Sequence, residues 1–403
     1  MSSEKSSRIE IIDALRGLAL AGILICHMTE NYIGSMSPQS FNDAVHVGLV
    51  DNIIDGLVFF FLRGKFIALF SFLFGLSFFI QMDNGAKRGK PFGGRFLWRL
   101  IILLAIGYVH SLFYRGDILT IYAFLGLFLI PFYRLKSKWL LVISAFLFLG
   151  IARYIVYFFI GTDSIWGGSP EMDANAAWVI DHYNVLKEGS LWDVFKANGL
   201  QGHLDKSDYQ FSIFGRGYFT FAFFLLGLFA GRQEYFKNYN THNKLIKKIV
   251  IWSSITLVLS FGIVAAAFSQ VGPDGGLDSW FAMIGLSAVD IGNMAMTFLW
   301  IAVFIILYKK TKPVKWLSKL APYGRMALTN YVLQSIIGTF LLYGWGLGLI
   351  GELRQLYTFL IAFIFIALQV WLSKIWLARF NYGPLEWLWR SLTFFKIFPF
   401  KKS

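Results

Sequence analysis

The amino-acid sequence predicts an all-α, polytopic integral membrane protein, with about ten transmembrane helices and both termini cytoplasmic. Three observations carry this expectation. Of 403 residues, 57% are hydrophobic and only 15% charged, whereas soluble domains average about 45–50% and about 25%. The apolar residues come in runs of roughly 18 to 25, the length an α-helix needs to cross about 30 Å of hydrocarbon. Membrane strands would instead alternate in shorter segments. Finally, Lys and Arg collect in every second loop, as the positive-inside rule requires of a multi-pass chain.

The apolar runs fall at 14–34, 53–82, 97–113, 118–133, 139–160, 211–231, 248–270, 280–308, 322–345 and 355–379. Glu4, Lys5, Arg8 and Glu10 precede the first run without a convincing cleavage site after it, so it reads as a retained helix. The third and fourth runs are short and separated only by Tyr114-Arg115-Gly116-Asp117, so a re-entrant hairpin is the alternative there. The whole chain, 1–403, reads as one transmembrane domain. No convincing inverted repeat and no Gly/Pro-broken helix pair of the kind that marks many transporter sites is visible. One internal echo pairs Arg63-Gly64-Lys65-Phe66 and Gly75-Leu76 with Arg216-Gly217-Tyr218-Phe219 and Gly227-Leu228. Duplication and chance both explain it.

Orientation follows from the loops. Lys87, Arg88, Lys90 and Arg95, then Arg134, Lys136 and Lys138, then Arg232, Lys237 and Lys244, then Lys309, Lys310 and Lys312 mark the cytoplasmic set. The alternate set is poorer in cations. Its longest member, 161–210, carries Asp163, Glu171, Asp173, Asp181, Asp193, Asp205 and Asp208, and reads as an extracytoplasmic cap of one or two short helices. The segment 380–403 reads as an interfacial cytoplasmic tail, with Pro384 at a helix start, Trp387 and Trp389 among its apolar bulk, and Arg390 and Lys396 as anchors. The net charge of +14 reflects this topology rather than nucleic-acid binding. Cys26 is the only cysteine, which excludes an internal disulfide, and it reads as a small buried residue.

Ionisable groups inside a membrane need a partner, a wet cavity or a task. Asp13 and Arg16 lie three residues apart at the start of the first run. Arg16 and His27 are separated by ten residues, which places them on nearly one helix face, about 16 Å apart along the axis. Gly17, Ala19, Ala21 and Gly22 would admit a close neighbour. Arg16 then suits a phosphorylated carrier entering from the cytoplasm, and a pantetheine-length arm would reach His27, a candidate general base. The alternative is a snorkelling Arg16 paired with Asp13, and a His27 bonded to a backbone carbonyl. His110 and Asp117 are two helical turns apart and suit an outer acceptor pocket, unless Asp117 only pairs with Arg115. Asp290 and Asn293 suit a relay or a structural ion pair. Arg325 suits a second phosphate contact or an interface anchor. His46 lies in the loop after the first run and Asp55 at the start of the second.

These residues carry a resemblance. Asp13-Ala14-Leu15-Arg16-Gly17-Leu18-Ala19 resembles the N-terminal signature of the YeiB-like bacterial membrane proteins, as do Gly64-Lys65-Phe66, Leu69-Phe70-Ser71-Phe72-Leu73-Phe74-Gly75, and His110 with Gly116-Asp117-Ile118-Leu119. Gly324-Arg325-Met326-Ala327-Leu328-Thr329-Asn330-Tyr331 with Gln334-Ser335, and Gly383-Pro384-Leu385-Glu386-Trp387, are similar to the C-terminal domain of unknown function that defines that family. The family looks related to the transmembrane acyltransferase superfamily. Its members use cytoplasmic acyl-CoA to modify an acceptor on the far side of the membrane. The O-acetylating branch carries an Arg-ten residues-His motif, matched by Arg16 and His27. The N-acetyltransferase branch places its histidine before an Asp-Leu-Val-Phe-like helix start. His46 ahead of Asp55-Gly56-Leu57-Val58-Phe59 is similar, with Gly56 interrupting the pattern.

The resemblance implies a multi-pass protein of the bacterial cytoplasmic (inner) membrane. It would move an acyl group from acyl-CoA, foremost acetyl-CoA, to a glycan, lipid or small-metabolite acceptor outside. Arg16 and Arg325 would hold the donor, and His27, or secondly His46, would be the base. Asp13 would orient Arg16, and His110 with Asp117 would shape the acceptor pocket. The other class of function is transport or flipping of a small amphipathic metabolite, with Asp290 on its path. Oligomerisation stays open.

Overall fold

The computed structural model describes residues 9–89, 92–168, 173–272 and 276–402. Glu4, Lys5, Arg8, Lys90 and Glu171 lie outside the described residues. Within them the chain is helical, and its one β-bridge joins Phe380 to Lys401.

Helix α1 (Glu10–Thr29) is the core of the molecule and is buried along almost its whole length. Its glycines make this possible. A Cβ on Gly17 would strike the Leu320 carbonyl, and one on Gly22 would enter the Phe66 ring. After the short α2 (Gln39–Val45), α3 (Leu49–Phe61) and α4 (Lys65–Lys87) form one apolar stretch that breaks at Gly64, where φ is +80°. Next, α5 (Gly93–Phe113) and α6 (Leu119–Phe132) form a hairpin. Helix α6 has only 14 residues, and it is largely buried.

Two helices are sharply broken. Helices α7 (Ser137–Phe148) and α8 (Ile151–Ile160) meet at 48°, with Gly150 at φ +78° between them. The cap follows as α9 (Ala177–Glu188), α10 (Leu191–Asn198) and α11 (Leu200–Phe211). Helix α11 then meets α12 (Arg216–Arg232) at 64°, with Gly215 at φ +63°. Only glycine adopts these angles without strain. The expectation of no glycine-broken pair is therefore corrected. Gly150 sits inside a continuous apolar run, so hydropathy gives no sign of the break. The cap also has three helices rather than one or two, because α11 continues into the broken span.

The echo between residues 63–76 and 216–228 becomes a packing pair. Helices α4 and α12 lie side by side. A Cβ on Gly75 would strike the Phe224 carbonyl, and one on Gly227 the Phe72 carbonyl. Each glycine thus faces the residue three places before the other, a local two-fold arrangement built on close backbone approach.

The C-terminal half contains α13 (Asn243–Phe268), α14 (Trp280–Tyr308), α15 (Thr311–Leu317), α16 (Leu320–Arg325), α17 (Ala327–Leu342), α18 (Gln355–Arg379) and α19 (Pro384–Phe394). Among the described residues, six helical stretches are long and apolar enough to cross a membrane, and up to eight if each bent pair counts as one. Helices α6 and α17 are shorter apolar helices. All ten apolar runs fall on helices.

Candidate functional site

The segments that carry the resemblance lie far apart in sequence and meet in space. Gly324 packs so closely on α1 that a Cβ there would strike the Asp13 carbonyl and crowd the Gly17 amide. Glu386 of α19 reaches the start of α17. It accepts hydrogen bonds from the amides of Leu328 (2.7 Å) and Thr329 (3.1 Å) and from the Thr329 hydroxyl (2.6 Å). The first amides of a helix have no partner within it, and a carboxylate there also opposes the helix dipole favourably. Glu386 is thus an N-cap supplied by another helix. Burial pushes its carboxyl pKa up against these hydrogen bonds.

Around this junction opens a cavity of about 310 Å³. Four arginines from four helices line it: Arg16, Arg99, Arg325 and Arg390. They lie with Ser77, Gln81 and Glu386 at the end of the molecule that bears the lysine-rich loops. Arg16 donates to Asp13 (2.9 Å) and to Ser77 Oγ (3.0 Å). Arg99 lies 3.5 Å over the Trp389 ring, and Arg390 4.5 Å over the Phe398 ring. Inward, the walls turn apolar, with Ile23, Phe70, Leu73, Leu103 and Leu119, and the lining reaches Ile118, Tyr122 and Tyr331.

Behind that inner end lies a buried polar cluster. Tyr331 accepts from the Ile118 amide (3.3 Å), and its ring is 5.0 Å from that of His110. His110 Nδ1 is 2.7 Å from Asp117 Oδ1. Asp117 also accepts from the amides of Leu119 (3.0 Å) and Thr120 (2.9 Å) and from the Thr120 hydroxyl (2.9 Å). It caps α6 while fixing the imidazole. Lys206, from the cap, donates to Thr120 Oγ1 (3.2 Å) and lies 3.9 Å from Asp117. Burial pulls the Lys206 pKa down while the Asp117 charge opposes that shift. A carboxylate held by so many donors keeps the His110 proton on Nδ1. The buried Nε2 then presents a lone pair, and it has no hydrogen-bond partner among the described residues. A proton-accepting nitrogen oriented by a carboxylate is the arrangement general-base chemistry uses.

The sequence-predicted residues divide clearly. Arg16 and Arg325 line the cavity together, and Asp13 stands beside Arg16. His110 and Asp117 form the dyad. His27 is buried next to it, with Nδ1 2.9 Å from the Tyr114 hydroxyl and its ring 6.5 Å from Tyr331. His46 is not brought there. Its Nδ1 meets the Asn42 carbonyl (3.0 Å) and its Nε2 lies 3.9 Å from Asp55. Asp290 pairs with Arg153 (2.5 Å) and Arg216. Asn330 bonds Ser373 (2.9 Å), tying α17 to α18.

Sequence reasoning missed Arg99 and Arg390 as cavity residues, taking the latter for an anchor. A signal was available for the first. Arg99 and His110 repeat the spacing of Arg16 and His27, ten residues between each pair. In both helices the arginine stands at the mouth and the histidine in the inner cluster.

The family described as "Protein of unknown function (DUF418)" matches residues 230–396. "Uncharacterized protein YxaH" of Bacillus subtilis is 30% identical over 422 aligned residues, covering 99% of this chain and 97% of its own. An "Uncharacterized 39.9 kDa protein in amylase 3'region" of Bacillus acidopullulyticus is 26% identical, over 97% of this chain and 95% of its own. "Uncharacterized protein YeiB" of Escherichia coli is 26% identical, over 95% of each. With likeness running end to end through motifs that meet at one cavity, the chain belongs to the YeiB/YxaH family of multi-pass membrane proteins carrying the DUF418 domain.

Proposed function

We propose that the protein is a membrane-embedded acyltransferase, moving an acyl group from acyl-CoA, foremost acetyl-CoA, to a hydroxyl or amine acceptor on the other side. The observation that carries this reading is an apolar cavity with arginines at one end and a His–Asp dyad behind the other. In this reading the ten apolar runs are ten spans of the bacterial inner membrane. The termini and the arginine mouth face the cytoplasm, and the cap faces out.

Arg16, Arg99, Arg325 and Arg390 bind the donor's phosphates, for which planar guanidinium donors are suited. The cavity volume is at the lower end of the range for small-molecule sites, about 300–1,000 Å³, and suits the slender acyl-pantetheine arm. His110, oriented by Asp117, takes the acceptor's proton as the acceptor oxygen or nitrogen attacks the thioester carbonyl. The C–S bond breaks, and the departing thiolate receives that proton. His27 with Tyr114 is the neighbouring polar pair. The geometry favours His110 over His27 as the base because its Nε2 is the oriented acceptor, and over His46 because that residue turns elsewhere.

The test is thermal stability of the purified protein in detergent, with and without acetyl-CoA. A ligand specific for the folded state adds about 2.7 kcal/mol at 100 times its Kd. Wild type gains stability. Arg16→Ala and Arg99→Ala lose most of that gain, whereas His110→Asn keeps it and loses transfer. A gain that persists in both arginine variants would sink the reading. A second reading, transport of a small amphipathic metabolite, draws on the two broken helices. Its support is weaker, because Arg153 and Arg216 already occupy the carbonyls at the α11–α12 break. Uptake into proteoliposomes without acyl donor would favour it.

A further inference from the structure

Helix α1 ends in an unusual turn under the cap. Asn31 and Tyr32 both have positive φ, +48° and +55°. Left-handed backbone is uncommon for any residue with a side chain and an outlier for a bulky one. Two in succession therefore need outside support. Tyr343 supplies some, its hydroxyl donating to the Tyr32 carbonyl (2.5 Å). The cap supplies more, through His182 Nε2, 3.4 Å from the Ile33 carbonyl.

The turn drives polar groups into the interior and leaves them unanswered. Asn31 is fully buried, yet neither its amide nitrogen nor its amide oxygen has a hydrogen-bond partner among the described residues. The same holds for the buried Tyr32 hydroxyl and for His182 Nδ1. Burial holds the His182 imidazole neutral, its pKa lowered to about 3 with Arg115 contributing. Its contact with the Ile33 carbonyl assigns the proton to Nε2, so Nδ1 is an acceptor. A buried polar group left unpaired costs about 1–3 kcal/mol, and an amide has two donor hydrogens and an acceptor oxygen to satisfy. Strained backbone spent on presenting such groups marks a site.

The position is telling. The Tyr32 ring lies 5.0 Å from Tyr114 and 5.4 Å from His27, so the turn adjoins the inner polar cluster. The unanswered groups are an amide, a phenol and a neutral imidazole. Together they offer donors and acceptors with no net charge, flanked by aromatic rings.

We infer that the Asn31–Tyr32 turn, with His182 of the cap, forms a binding site for a neutral, hydroxyl-rich molecule. Asn31 donates and accepts, Tyr32 does either, and His182 Nδ1 accepts a hydroxyl proton. These three groups carry no charge of their own, and the neighbouring Arg115 is engaged by Asp205 (3.1 Å) and the Ala197 carbonyl (2.9 Å). Under the proposed function this site holds the acceptor, and on that point it rests on that reading. Binding itself does not.

The test uses thermal stability of the full-length protein in detergent. The ligands are glycerol, inositol, glucose and N-acetylglucosamine, set against glycerol phosphate, glucuronate and choline. Asn31→Gly removes the amide and accepts the positive φ, and Tyr32→Phe removes only the hydroxyl. At least one neutral polyol should stabilise wild type, with its charged counterpart at least tenfold weaker. Both variants should lose that shift yet keep the one given by acetyl-CoA. No shift with any neutral ligand, or a shift unchanged in both variants, would overturn the inference. A polyol shift lost in the variants, in a protein indifferent to acetyl-CoA, would uphold this site and sink the acyltransferase reading.

Discussion

Two charged clusters are buried between helices of the described residues, and they are finished differently. The first joins Arg153 of α8, Arg216 of α12 and Asp290 of α14. Arg153 spends all three nitrogens, on the Ile213 carbonyl (2.5 Å), Ser287 (2.8 Å), the Phe214 carbonyl (3.0 Å) and Asp290. Arg216 adds a bond to the Phe214 carbonyl (3.0 Å). The second cluster joins His110, Asp117 and Lys206, and it ends in a His110 Nε2 that has no hydrogen-bond partner among the described residues, near the Tyr331 end of a cavity. Arg153, the most buried member, has every nitrogen engaged. Its partners are the carbonyls exposed where α11 meets α12, so its task is to pin a broken helix. The open cluster pays for burial without closing its hydrogen bonds, which is tolerable only where something else uses them.

Removing a partner should break this contrast most visibly at the closed cluster. Asp290→Asn leaves Arg153 and Arg216 without their counter-charge. Breaking a buried pair in this way costs about 3–5 kcal/mol. Thermal unfolding in detergent should show a large loss, and protease should cut near Gly215 and Gly150, the breaks that the cluster braces. His110→Asn at the open cluster should cost far less. Similar losses for the two variants would erase the distinction.

Much of the fold was legible, because hydropathy alone reports the membrane class and the ten apolar runs. The breaks were not. Gly150 lies within an apolar run, and the side chain that leaves no room for a Cβ there is Ser287, far away in sequence. Part of the site was legible too. Arg16, Arg325, His110 and Asp117 stood out as charges and imidazoles in apolar surroundings. Arg390 did not, because a cation near a membrane face also satisfies topology. Glu386 carried a motif but no assigned task, since its partners Leu328 and Thr329 lie on another helix. His46 shows the converse. A sequence pattern nominated it, and the fold seats it on Asn42 and Asp55.

Acid should separate the clusters next. His182 carries a pKa near 3 against an ordinary 6.5, lowered chiefly by burial and then by Arg115. Its folded pKa lies below the unfolded one, so the unfolded state binds the extra proton. The stability it contributes is complete above pH 6.5. As pH falls towards 3 that stability is lost by up to about 1.4 kcal/mol per pH unit. Hydrogen exchange at pH 7 and pH 5 should show the cap around α9 loosening over the open cluster, with the Gly215 break unchanged. His182→Phe should flatten the dependence. An equal slope in that variant would place the titrating group elsewhere.

The smallest expected effect distinguishes support from binding at the cavity mouth. Glu386 caps α17, and it also sets a negative charge among arginines proposed to hold phosphates. Glu386→Gln keeps an acceptor for the Leu328 and Thr329 amides but removes the charge that complements the helix terminus. That charge is worth about 0.3–1 kcal/mol, so unfolding should shift down only slightly. Donor binding should move the other way. With the carboxylate gone, Arg99 and Arg390 face the anion undivided, and the acetyl-CoA shift should equal or exceed that of wild type. If the shift disappears while the variant stays folded, Glu386 binds the donor itself. The mouth would then join the open cluster as a site in its own right, rather than serving as the brace that aims α17 and Tyr331 at it.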